Sequence, residues 1–354
     1  MALFELIVLL SALLTPVDSA RLVFAGDAMQ HQRQIDAARM PGGELDYSGY
    51  FSEIAPYVSE ADYAVVNLET PLGGAPYSGY PMFCAHDNYL TALQNAGFDL
   101  MLSANNHILD RRDKGVLRTI LTFEQAGAHW LGVYRDEAHR HEILPFIRDI
   151  NGFRVAFLNY TYGTNGIEKR TPIAIDYIDR SLMADDVAAA RAAGAELVCV
   201  CIHWGDEYKL LPNRMQRDLA DYLAGLGVEL IIGSHPHVIQ PMELRESAIT
   251  GRPCLTVFSL GNFISAMRTT DTRGGAMVSV TLGRDLLRRP YVKEASYRLV
   301  FTEWPQKAGD NFRIVDSESQ TLAPAMRSHR QAFLRNARSI FRKHNINVPE
   351  DTVR

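Results

Sequence analysis

Short apolar runs that end in polar residues alternate along this chain with segments whose apolar residues recur at helical spacing. The runs at 21–25 (Arg-Leu-Val-Phe-Ala), 63–67, 98–102, 153–159, 196–202, 228–232 and 254–259 read as strands. Segments 113–126, 181–193 and 214–226 carry the helical period, and Gly127, Gly194 and Gly227 stand where helix stops belong. After Gly274 the texture becomes strand-like over 276–282 and 291–302, which completes the sheets. A basic amphipathic helix follows over 323–343, as a cover or a C-terminal appendage. The pattern is α/β. With no internal repeat, low-complexity tract or long linker, it predicts one compact domain over 21–310, followed by a helical appendage over 311–354. The weakest boundary is the polar stretch 268–275, which contains two glycines.

Polar residues sit at the ends of these strands. Asp27 follows 21–25, Asn67 and Glu69 close the second run, and Asn105, Asn106 and His107 follow Leu100-Met101-Leu102. His203 follows Val198 to Ile202, and His235 and His237 follow Leu230-Ile231-Ile232. Adjacent strand ends of an α/β sheet gather at one rim, so residues distant in sequence converge there. Five such ends offering Asp, Glu, Asn and His have the composition of a metal site with mixed oxygen and nitrogen ligands.

Taken singly, the same residues have plainer uses. Asp27 after Gly26 suits a turn or a helix N-cap, Glu69 before Thr70-Pro71 suits an exposed loop, and His203 beside Trp204 suits the edge of a core. His235-Pro236-His237 is harder to place structurally, because two imidazoles flanking a rigid proline have few packing roles. His86, His129, His139, His141, His329 and His344 fall in helical or loop context and are assigned no chemistry.

The 354 residues are 47% hydrophobic with a formal net charge of -5, so no global basic field draws the chain to nucleic acid. Of the four cysteines, Cys199 and Cys201 share one face of a strand, and Cys84 and Cys254 lack metal-type spacing. All four are expected to be small buried apolar groups.

Six runs together carry a family resemblance: Phe24-Ala25-Gly26-Asp27, Asn67-Leu68-Glu69-Thr70-Pro71, Ala104-Asn105-Asn106-His107 with Asp110, His203-Trp204-Gly205, Gly233-Ser234-His235-Pro236-His237-Val238 and Ser259-Leu260-Gly261-Asn262-Phe263. In order and spacing over roughly 21–265 they resemble the bacterial capsule-synthesis CapA family, which is associated with synthesis or export of capsular poly-γ-glutamate. The resemblance implies the fold of calcineurin-like metallophosphoesterases, a β-sandwich flanked by helices in four αββα layers. It implies that Asp27 and His237 bind one metal, that Asn106, His203 and His235 bind a second, and that Glu69 bridges them. His107 would be the general acid, oriented by Asp110.

The chain departs from the wider phosphoesterase pattern at three places. Asp27-Ala28-Met29 replaces Asp-x-His, with a histidine only at His31, which either ligates or faces solvent. Glu69 stands where Asp is usual, and Arg112 where the CapA pattern tends to have Gly. Arg112 either favours an anionic substrate or is a solvated side chain.

Two functions follow as expectations. The first is hydrolysis of a phosphoester, or less readily an amide, by a pair of divalent ions drawn from Mn, Zn, Fe or Mg. The second is a non-catalytic, metal-containing accessory role in polymer synthesis or export. The expected partners are an anionic small-molecule or polymer substrate and the envelope polymer-synthesis machinery, with no nucleic acid.

Residues 1–20 resemble a secretory signal, with an apolar run Leu6–Leu14, Pro16 and small residues up to Ala20. The run is too short to span a bilayer, no Lys or Arg precedes Arg21, and Glu5 interrupts its start. Export to the cell envelope or periplasm is expected; the alternative is a mis-assigned start codon on a cytoplasmic protein. N-terminal sequencing of protein from the native host should find the mature chain beginning close to Arg21. Intact Met1 in the soluble cytoplasm would remove the export reading.

Overall fold

The apolar runs are buried almost continuously, on both faces, and assemble into two main sheets. The computed structural model describes residues 19–351. The signal-like segment thus lies outside the described residues, apart from Ser19 and Ala20, which already belong to the first strand. In chain order the strands are β1 (Ser19–Ala28), β2 (Tyr63–Leu68), β3 (Leu100–Leu102), β4 (His129–Leu131), β5 (Val133–Tyr134), β6 (Phe146–Ile150), β7 (Phe153–Thr161) and β8 (Ala174–Ile175). They continue as β9 (Leu197–His203), β10 (Leu230–Ser234), β11 (Ile239–Glu246), β12 (Pro253–Leu260), β13 (Asn262–Ile264), β14 (Gly274–Arg284), β15 (Pro290–Glu303) and β16 (Arg313–Asp316). The helices are α1 (Gln32–Ala38), α2 (Ala55–Ser59), α3 (Asp87–Asn95), α4 (Arg112–Gln125), α5 (Glu137–Ile143), α6 (Arg180–Ala192), α7 (Arg214–Gly225) and α8 (Pro324–His344).

One sheet has eight strands, ordered β16-β15-β14-β1-β2-β3-β4 with β13 paired to the end of β1; the second has six, ordered β11-β12-β10-β9-β7-β6. Strands β1 to β4 run parallel, as do β7, β9, β10 and β12. The period-2 alternation then decides the layers. Leu22 and Phe24 of β1 meet Phe157, Cys199, Leu230 and Val257 in a core between the sheets, whereas Val23 and Ala25 face outward onto Ile35, Tyr50, Leu90 and Phe123. On the far side, Ala156, Val198 and Ile231 pack on Met183, Val187, Leu219 and Leu223 of α6 and α7. The order is helix, sheet, sheet, helix. Met326, Phe333, Leu334, Ala337 and Phe341 of α8 join the inter-sheet core, so that helix covers it. All four cysteines are buried and free, as expected of small apolar groups.

The apolar pattern alone does not assign α1, α2, α3, α5 or β11. The helices are short and owe their placement to packing against a sheet face rather than to a long apolar stripe of their own. In β11 the obstacle is Pro241, which argues against a strand; it is tolerated because β11 is an edge.

A bulge at Gly26 governs how β1 reaches the rim. Ala25 pairs with Val66 and Asp27 with Asn67, leaving Gly26 as an extra residue. Without that insertion the alternation would aim Asp27 at the helices; with it, Asp27 joins Asn67 on the inter-sheet face. Glycine is required there because a Cβ would stand 2.0 Å from the Gly261 carbonyl oxygen. Gly26→Ala should therefore destabilise the protein by about 1–3 kcal/mol through forced backbone displacement, read as a lower urea midpoint. A cost within error of zero would show that the β1–β13 crossing is not tight.

Candidate metal centre at the sheet rim

The fold brings Asp27, Glu69, Asn106, His203, His235 and His237 together at the carboxyl ends of β1, β2, β3, β9 and β10. Glu69 directly follows β2, His203 is the last residue of β9, and His235 directly follows β10. His203 Nε2 lies 3.0 Å from Asn106 Oδ1 and 3.5 Å from Glu69 Oε1. His237 places Nδ1 3.2 Å from Asp27 Oδ2 and Nε2 3.8 Å from Glu69 Oε1. Asp27, Glu69 and His203 each offer an atom within 4.8 Å of the others, and so do Glu69, His235 and His237. Donor atoms bonded at ~2.1 Å to one cation lie about 3 Å apart at right angles, so these separations suit shared ions.

The chemistry of the unpaired atoms makes the same point. Glu69 is fully buried, yet neither carboxylate oxygen receives a hydrogen bond from the protein, and His235 Nδ1 is equally unpartnered. Leaving such groups unsatisfied in a low-dielectric interior is costly, and a cation bonded to them removes the cost. Burial, followed by the charge of Asp27, pushes the Glu69 carboxyl well above its usual range. Burial likewise holds His203 well below 6.5 and takes His235 down to about 3, keeping both imidazoles in the neutral form that ligates metals. The residues fit divalent ions.

Groups outside the ligand set orient it. Asn67 Nδ2 donates to Asp27 Oδ1 at 2.8 Å. Ser234 Oγ lies 3.0 Å from His203 Nδ1, and Asn262 Oδ1 lies 3.2 Å from His237 Nδ1, leaving Nε2 of each ring toward Glu69. His235 and His237 adopt φ of 99° and 58°, a region uncommon for residues with a side chain, as found where a turn is held for function.

His107 is placed differently. Its Nδ1 sits 2.7 Å from Asp110 Oδ2, which also accepts the Phe83 N–H at 2.7 Å. The ring packs edge-on to Phe83 and lines a cleft of about 670 Å³ with Asn106, Asp110, Arg112, Glu207 and Tyr208. His31 lines the same cleft but belongs to neither ligating group; the Ala266 N–H lies 3.3 Å from its Nδ1. Arg112 also faces the cleft, with φ of 54°, which explains why glycine would suit this position.

Asn159 is a supporting residue that the sequence reading does not single out. From β7 in the second sheet, its Oδ1 accepts the Ser103 and Ala104 N–H groups at 3.1 and 2.8 Å, and its Nδ2 donates to Cys201 O at 3.2 Å. It ties the loop carrying Asn106 and His107 to the opposite sheet. The available signal was a carboxamide inside the apolar run 153–159. Asn159→Leu should strand the buried Ala104 N–H, the Ser103 N–H keeping the Leu131 carbonyl at 2.9 Å, at a cost of about 1–3 kcal/mol, and displace the Asn106-His107 loop. A thermal melt and a crystal structure of the variant check this; unchanged stability with an unmoved loop would deny the tie.

Comparison with known proteins bears on the family and the fold. The capsule biosynthesis protein CapA of Bacillus anthracis is 28% identical over 272 residues, spanning 74% of this chain and 63% of that protein. The PGA biosynthesis protein CapA of Bacillus subtilis (strain 168) is 25% identical over 270 residues, spanning 74% of this chain and 67% of its own length. Among solved structures, the NAD nucleotidase of Haemophilus influenzae superimposes with a TM-score of 0.50 at 10% identity, over 95% of this chain and 65% of that one. A Staphylococcus aureus protein assigned to the 5'-nucleotidases gives a TM-score of 0.51 at 12% identity, over 90% and 58% of the two chains. At such identities these two establish the fold alone, which is of the metallophosphoesterase type. The profile of the bacterial capsule synthesis protein family PGA_cap matches residues 21–267, and the chain belongs to that family.

Proposed function

We propose that this protein is a phosphoester hydrolase with two divalent ions, acting on an anionic substrate of capsule or envelope polymer synthesis. The observation that carries the reading is the fully buried Glu69 carboxylate, undonated by any protein hydrogen bond, between His203 and His237. In this reading Asp27 and His237 would hold one ion and Asn106, His203 and His235 the other, with the Glu69 carboxylate available to either. The chemistry available from such a pair is activation of water and neutralisation of charge developing on phosphoryl oxygens. His107 keeps its Nδ1 proton on Asp110 and presents Nε2 to the cleft, where it donates a proton to the departing oxygen. Arg112 adds a cation to the cleft wall that attracts an anionic substrate. The capsule-synthesis relatives support an envelope location.

Elemental analysis of the purified protein, with a panel of phosphomonoesters and phosphodiesters, tests the proposal. Bound divalent metal with turnover is the expected result; metal without turnover on any ester would support the accessory role. Glu69→Ala or His235→Ala should lower metal content and, through linkage, stability. His107→Ala should keep the metal and slow esters with basic leaving groups by on the order of 10²–10⁴-fold while sparing activated aryl phosphates. Equal losses for good and poor leaving groups would argue against the acid role, and loss of metal would make His107 a ligand.

A further inference from the structure

His31 lines the cleft beside the candidate metal centre without belonging to the ligand set, and the backbone around it fixes its tautomer. Strand β13 runs parallel to the end of β1, with the Met29 N–H on the Ile264 carbonyl at 3.0 Å. Two residues later the Ala266 N–H meets His31 Nδ1 at 3.3 Å. A peptide N–H can only donate, so Nδ1 accepts and the ring proton sits on Nε2. Gln34 Oε1 also lies 3.3 Å from Nδ1, but it already accepts the His31 backbone N–H at 2.8 Å. Burial, only partly offset by the Gln34 contact, takes the pKa of His31 down to about 4, so the ring is neutral at pH 7.

The ring is also held in place. It packs edge-on to Phe83 with centroids 5.1 Å apart, and the same Phe83 packs edge-on to His107 at 4.6 Å. The loop carrying Tyr80 to Met82 crosses its backbone so closely that a Cβ on Gly79 would stand 2.2 Å from the Gln32 nitrogen. Among the described residues none hydrogen-bonds to His31 Nε2, and that atom is open to the cleft shared with Asn106, His107 and Arg112. Met82 and Met267 line the same wall, where a donated hydrogen bond is screened less than in water. We propose that His31 is a substrate-binding residue whose Nε2–H donates to a non-bridging oxygen of the phosphoryl group held in this cleft. The assignment rests on the phosphoester reading and adds to it a fixed, uncharged donor: Arg112 attracts the anion, and His31 orients it. It also separates His31 from the ligands, a role that its place after Asp27 leaves open.

Orthophosphate binding to the metal-loaded full chain, measured by calorimetry beside steady-state rates on a phosphomonoester, tests this. His31→Phe keeps a ring but has no N–H; it should weaken phosphate binding about tenfold and raise KM more than it lowers kcat, with metal content unchanged. His31→Gln, whose carboxamide N–H reaches toward the Nε2 position, should recover most of the binding. Two-bond proton–nitrogen spectra of histidine-labelled protein loaded with a diamagnetic ion, with His31 assigned by its loss in the variant, should show a bare Nδ1 and a protonated Nε2 at pH 7. The Nε2 resonance should move when phosphate is added. Equal phosphate binding by the native chain and His31→Phe, a proton on Nδ1, or no phosphate binding by the native chain would each overturn the proposal. Loss of metal in His31→Phe would also overturn it by making His31 a ligand. Phosphate binding that depends on His31 in a protein that turns over no ester would support the donor and remove the hydrolase reading; ester turnover unchanged in His31→Phe would do the reverse.

Discussion

Two acidic side chains, Asp27 and Glu69, are fully buried at the rim where the two sheets meet, and much of the surrounding structure answers to that fact. A buried carboxylate needs hydrogen-bond donors, a charged partner or a cation. Asp27 has Asn67, the His235 N–H and His237 around it; Glu69 has imidazole rings at 3.5 and 3.8 Å and no hydrogen-bonded donor. Three histidines kept close in space, two of them driven to neutrality by burial, supply lone pairs rather than positive charge. This set of donors fits a divalent cation.

The fold assembles this centre by devices that act on the backbone. The bulge at Gly26 moves Asp27 onto the inter-sheet face, and the close crossing with Gly261 holds it there. Asn159 reaches across from the second sheet to hold the chain at Ser103 and Ala104. His235 and His237 accept left-handed backbone in a turn where Pro236 limits the alternatives. The left-handed turn at His235 and His237 costs stability locally and is offset by the apolar layers beneath, where both faces of each sheet are covered.

The two ends of the sandwich differ in character. The carboxyl ends of the parallel strands gather polar and ionisable groups into a cleft, while the other end carries hairpin turns with solvent-facing leucine and isoleucine. Because β1 spans the whole distance, the same strand carries Asp27 to the candidate metal centre and begins beside the β14–β15 turn.

Most of the strands and the convergence of the polar residues were legible in the sequence. Apolar runs such as Val198 to Ile202 are long enough to declare a buried strand, and a polar residue at the end of each marks the rim whatever the order of the strands. The motif order likewise identified the family. Other features were decided by tertiary structure. The face that Asp27 occupies depends on one extra residue in a pairing register, which no periodicity along a single strand records. The role of Asn159 exists only because a loop of the other sheet passes over it. Short helices such as α1, and an edge strand containing Pro241, take their form from what they pack against. Local sequence specifies where an element can form and which residues it offers; register and the partner across the interface specify which of those residues meet.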